Sequence, residues 1–164
     1  MRMWIRFAEE FGPCETDEEH QSIDAQVARL VMGWRLSNCG EWWVGPGADE
    51  ADAKAIGCLA WSPSRGWADL GCVVRQMTEV HRISVNFTVF PTRESRKHIG
   101  GSAWICPGGP PRVTSLDEVV HRVRMNAPTV ELAVCGLAIW WFRQPEVQQW
   151  RDGAGGVSTG GDPA

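Results

Sequence analysis

Tyrosine is absent from this chain, whose aromatic character rests on ten tryptophans and five phenylalanines. Also missing is any apolar run approaching the roughly 18 residues of a membrane span, so no membrane partner is expected. Met1 to Phe11 lack the apolar core and small-residue cleavage site of a secretory signal, which predicts a cytoplasmic protein. None of the six cysteines (Cys14, Cys39, Cys58, Cys72, Cys106, Cys135) belongs to a Cys-x-x-Cys pair. With the six scattered and no export signal beside them, reduced, mostly buried thiols are expected rather than a disulfide framework. The histidines (His20, His81, His98, His121) show no x₂–x₄ pairing with one another or with cysteine. A local zinc motif is therefore lacking, leaving only a non-local pair such as Cys106 with His98. No metal and no cofactor is predicted.

What is present points to a folded domain. Hydrophobic residues make up 43% of 164 positions, enough for one domain with its own core. Tryptophan is seldom buried completely and is enriched where surfaces meet, so part of the tryptophan set is expected at an interface. The net charge of −4 is unevenly spread. Residues 1–52 carry four basic and eleven acidic side chains, whereas residues 75–125 carry eight and four. Such a split either orients a partner through long-range potential or marks two solvated faces.

Along the chain, Trp4, Phe7 and Phe11 are spaced for a short amphipathic helix in an N-terminal extension over 1–16, closed by Gly12-Pro13. Thr16 or Asp17 can cap a helix over about 17–34, with an acidic first turn and Ile23, Val27, Leu30, Val31 and Trp34 on one face. The carboxylates of 15–24 fall on what should be its solvated side. After the turn at Ser37 to Gly40, Trp42-Trp43-Val44 reads as a strand, and Ile56 to Trp61 as a return to the sheet. Ser62 or Ser64 can cap the next helix, over 64–79, with Trp67, Leu70, Val74 and Met77 inward and Cys72 in the core.

Ile83, Val85, Phe87 and Val89 alternate with polar residues as in a half-buried strand, and Ile99 to Cys106 forms its hairpin partner. Residues 114–125 carry both helix and strand signals, with the strand favoured because Asn126-Ala127-Pro128 opens a helix cleanly. That helix, about 128–142, is apolar nearly all round and should be central to the core. From Gly153 the composition is that of a loose tail. The expectation is an α+β fold, a small antiparallel sheet packed with amphipathic helices in a sandwich-like domain over 17–150, with a flexible tail over 151–164.

Three stretches resemble the phage ABA-sandwich domain family. Asp24-Ala25-Gln26-Val27-Ala28-Arg29-Leu30-Val31-Met32-Gly33-Trp34 is similar to its first helix, which runs D-x-x-V-A-x-x-V-M-G-W. Trp61-Ser62-Pro63-Ser64 with Trp67-Ala68 resembles its next landmark, an aromatic followed by P-S-T-D and an amphipathic helix. Ala127-Pro128-Thr129-Val130-Glu131-Leu132-Ala133 is similar to its closing A-P-x-A helix, and Trp67-Ala68-Asp69-Leu70-Gly71 to related NinX-type phage proteins. Arg65-Gly66 depart from the usual threonine and aspartate. The resemblance implies helices against an antiparallel sheet, and a phage or prophage accessory protein working in the host cell.

Catalytic chemistry finds little footing. No thiol is placed at a helix start beside a histidine, and Gly45-Pro46-Gly47 lacks the strand-to-helix setting of a phosphate loop. The chain is expected not to be an enzyme. Two binding classes remain. A host protein as partner, with inhibition of antiviral defence as one version, would engage tryptophans and arginine of the kind that dominate interfaces. Neighbours on a strand point to opposite faces, so one of Trp42 and Trp43 is expected outward, and Trp150 is a further contact candidate. The alternative is nucleic acid held by the basic hairpin connection of Arg93, Arg96, Lys97 and His98, with Arg122, Arg124 and an exposed Trp104 nearby. Against it stands the acidic net charge, because such affinity rests on phosphate neutralisation.

Overall fold

The computed structural model describes residues 3–47, 56–81, 83–91, 99–107, 123–145 and 147. Strands β1 (Met3–Arg6), β5 (Ile83–Pro91), β6 (Ile99–Pro107) and β7 (Val123–Ala127) form a four-stranded sheet in the order β1-β7-β6-β5. The β5–β6–β7 part is antiparallel, and β1 adds in parallel beside β7. A second, smaller sheet joins β2 (Arg35–Leu36), β3 (Trp42–Val44) and β4 (Ile56–Gly57), all antiparallel. The helices are α1 (Phe7–Phe11), α2 (Asp17–Leu30), α3 (Trp67–Arg75), which runs on into a π-helical turn (Gln76–Val80), and α4 (Val130–Phe142). The α+β class read from the sequence is what the chain adopts.

Helix α4 lies between the sheet and the remaining helices. One side packs on β6, β7 and β5, while α2, α3 and α1 pack on it from elsewhere. This is why its sequence has no polar face: Leu132, Ala133, Val134, Cys135, Leu137, Ala138 and Ile139 are all buried. Two glycines permit the close approach. A Cβ on Gly136 would stand 2.5 Å from Met125 Sδ and 2.6 Å from the Phe7 ring. One on Gly101 would stand 2.3 Å from the Val130 backbone. Thr129 caps α4, its hydroxyl accepting the Leu132 amide at 3.2 Å.

Three expectations need correction. The amphipathic helix expected from Trp4 is instead strand β1 followed by α1. Ile5 and Phe7 are buried while Trp4 is exposed, so strand alternation carries Ile5 into the core before the chain turns helical. The inward face of α3 is Leu70, Val73 and Met77, whereas Trp67 is 54% exposed. It sits at the first helical position beside Phe87, beyond the cover of α4. Finally, α3 starts at Trp67 with Gly66 as its cap residue, and neither Ser62 nor Ser64 caps it. Those serines belong to the preceding turn. Of the uncertain 114–125 segment, 123–125 are in β7 and the rest lies outside the described residues, as does the tail.

Candidate interaction surface

The position of the smaller sheet is fixed by a polar clasp between α2 and the turn before α3. The N-terminus of α2 carries a full capping box: the Thr16 hydroxyl accepts the Glu19 amide at 3.3 Å, and the Glu19 carboxylate accepts the Thr16 amide at 2.9 Å. One turn on, the His20 Nδ1 is 2.8 Å from the Ser64 hydroxyl. A further turn on, Asp24 accepts the Ser64 backbone N–H at 2.9 Å, and its own carbonyl accepts the Trp61 indole N–H at 3.3 Å. Arg65 pairs with Asp17 at the surface. From the other side, the Asp69 carboxylate accepts the Ser62 amide at 2.9 Å. The Trp61 ring is buried and packs against Trp34 at 4.7 Å between centroids.

Asp24 thus departs from the solvated placement expected for the carboxylates of 15–24: it is buried. Desolvation raises its pKa, opposed by hydrogen bonds from Ser64 and Ser62 and by Arg65. Burial also lowers the pKa of His20, with the Arg65 charge adding to the effect. The sequence carried a signal for this placement. Asp24 lies between Ile23 and Val27 and four residues before Ala28, inside the buried stripe of α2. A serine, a histidine and an aspartate in one cluster invite comparison with a nucleophile relay. In such a relay the acid orients the imidazole, whereas here Asp24 meets the serine amide, and Ser64 is only 2% exposed. The arrangement serves to hold the Trp61–Gly66 turn against α2. In doing so it joins the first two stretches of the resemblance.

Thiol chemistry is similarly subdued. Burial, with the charges of Glu19 and Asp24, pushes the Cys14 thiol up to about 11. Cys135 is raised further by complete burial. The expectation of mostly buried cysteines is corrected for the described set. Cys135 alone is fully buried, Cys14, Cys58 and Cys72 are half-buried, and Cys39 is exposed in the turn before β3. Among the described residues no three His, Cys, Asp or Glu side chains converge on a common point, and His98 lies outside them.

The small sheet buries Trp43 and Val44 and leaves other apolar groups outward. Of the adjacent pair, Trp42 is the outward residue, 45% exposed, while Trp43 is buried. Trp43 is therefore corrected from a free contact to the floor of a cleft. The register sets Leu36, Trp43 and Ile56 in one row across the three strands, and Trp42 opposite Gly57 in the next. Leu36 and Ile56 flank the buried ring and are themselves exposed, and Leu59 beyond β4 is 81% exposed. The cleft above Trp43, about 230 Å³, is lined by Asp24, Arg29, Leu36, Cys58 and Leu59, among others. The Arg29 guanidinium lies 5.7 Å from the Trp43 ring centre.

The remaining candidates divide differently. Trp150, Arg93, Arg96 and Lys97 lie outside the described residues, as does Arg122. Arg124 stands on the sheet face away from α4, its guanidinium 4.6 Å over the ring of Trp4, which is 58% exposed. Among the described residues no helix is long and apolar enough to cross a membrane.

The fold and surface define an α+β protein with a small sheet whose central strand carries an exposed tryptophan. Compared with protein-family models, curated proteins and solved structures, the chain has no match.

Proposed function

We propose that this chain is a non-catalytic phage or prophage accessory protein that acts in the host cell by binding a host protein, inhibition of an antiviral defence being one version. The observation that carries the reading is the small sheet. Trp42, Leu36, Ile56 and Leu59 are all exposed within three short strands and the turn after them. Single exposed apolar side chains are ordinary, whereas Leu36, Ile56 and Leu59 around the cleft over Trp43, with Arg29 in its lining and Trp42 exposed on the opposite face of the same sheet, have the composition of an interface. The three stretches that resemble the phage ABA-sandwich family supply the phage setting.

The test is capture from nuclease-treated host lysate with the tagged full chain, read by mass spectrometry. A host protein held by the wild type and lost with Trp42→Ala or Leu59→Ala is the expected result. Equal capture by wild type and both variants overturns the reading.

A second reading, nucleic-acid binding, draws on the exposed Trp4–Arg124 stack, an aromatic platform with a cation on it. Retention on DNA at about 150 mM salt, lost when Arg93, Arg96 and Lys97 are replaced by alanine, would favour it.

A further inference from the structure

Strand β5 is the terminal strand of the larger sheet, and among the described residues it has a strand neighbour on one side only. Its nine residues, Ile83 to Pro91, contain no charged side chain, and the one proline comes last. Proteins ordinarily guard such an edge with lysine, an early proline, a bulge or a covering element, because an unguarded edge recruits another strand. Here the row running Ile5–Met125–Ala103–Phe87 across the sheet is buried at its first three positions and opens at Phe87, which is 40% exposed. Val89 on the same face is 50% exposed. Phe87 packs on the exposed Trp67 at 5.7 Å, and together with Leu70 and Val74 they line an apolar groove of about 410 Å³. The two charged side chains at its rim, Arg75 and Glu79, are of opposite sign.

We infer that β5 pairs antiparallel with β5 of a second copy of this chain, joining two four-stranded sheets into one of eight strands. The occupant follows from the strand's own pattern. A twofold contact requires a segment that complements itself. Phe87 is the midpoint of Ile83–Pro91, so an axis there gives every residue a partner. Phe87 then faces Phe87 of the partner, Val85 faces Val89 on the groove side, and Asn86 faces Thr88 on the other. Over the central five residues apolar meets apolar and polar meets polar, Ser84 falls opposite Phe90 nearer the ends, and no charge approaches a like charge. The same pairing covers Phe87 and Val89, which α3 and α4 leave open.

The test is the mass of the full-length protein by light scattering across a concentration series, with thermal denaturation to confirm folding. Wild type is expected at twice 18.2 kDa. Phe87→Lys and Phe87→Glu each place like charges at the axis and should weaken association by about 100-fold or more. An equimolar mixture of the two should restore the dimer, because only a contact of position 87 with itself turns the repulsion into an ion pair. Should Phe87→Lys fail to fold, Val89→Lys at the more exposed site takes its place. A monomeric wild type, a lysine variant as dimeric as wild type, or a charge-swapped mixture that stays monomeric each overturns the inference.

Discussion

The Asp24 carboxylate accepts the backbone N–H of Ser64, forty residues along the chain, at 2.9 Å and out of contact with solvent. Removing the acceptor strands a buried donor. Asp24→Ala should therefore cost about 1–3 kcal/mol at neutral pH, measured by urea denaturation.

Asp24→Asn keeps an acceptor oxygen and removes the titration, which separates geometry from charge. Burial holds the pKa of Asp24 above its unfolded value, so folding favours the protonated acid. As pH falls from neutral through that raised value, the wild type gains stability from this group, and the gain is complete below the ordinary carboxylate range. The melting temperature of wild type minus that of Asp24→Asn should therefore rise as pH is lowered from about 7 to about 4. His20 and Glu19, whose pKa values are both lowered, titrate in both proteins and largely drop out of the difference. A flat or falling difference would remove desolvation as the governing cause.

Two glycines should respond to alanine with opposite signs. Gly71 lies on the exposed side of α3 with nothing within 4 Å of an added Cβ, so Gly71→Ala should stabilise by about 0.5–1 kcal/mol through helix propensity. Gly101→Ala drives a methyl group into the Val130 backbone and should destabilise by about 3 kcal/mol or more, because the start of α4 has to move. Thermal melts of the two variants against wild type decide it.

The adjacent tryptophans should separate binding from folding. Trp43→Ala empties a core position at 4% exposure and should cost about 3–5 kcal/mol. Trp42→Ala, at an exposed site, should change stability by less than about 1 kcal/mol. Chemical denaturation reads both.

Thiol labelling should follow burial. In native protein at pH 8, iodoacetamide should modify exposed Cys39 ahead of Cys14, whose thiolate is scarce, and leave Cys135 untouched until unfolding. Peptide mass mapping over time gives the order.

Sequence by itself determined the elements whose signals are local. The capped, acidic start of α2, the alternation of β5 and the unbroken apolar run of α4 each follow from side-chain periodicity, which needs only neighbouring residues. The same logic led to the expectation that one of Trp42 and Trp43 points outward. Which one does, and which acid is taken from water, depends on what lies across from them. Trp4, Phe7 and Phe11 have spacing that suits a helix, but parallel pairing with β7 draws Met3–Arg6 into the sheet. Trp67 matches the inward face of α3 by spacing, yet α4 does not extend over it, so it stays exposed. Asp24 looks like one acid among several until the Ser62–Ser64 turn closes on it. Burial is a relation between distant segments, and only the tertiary structure decides it.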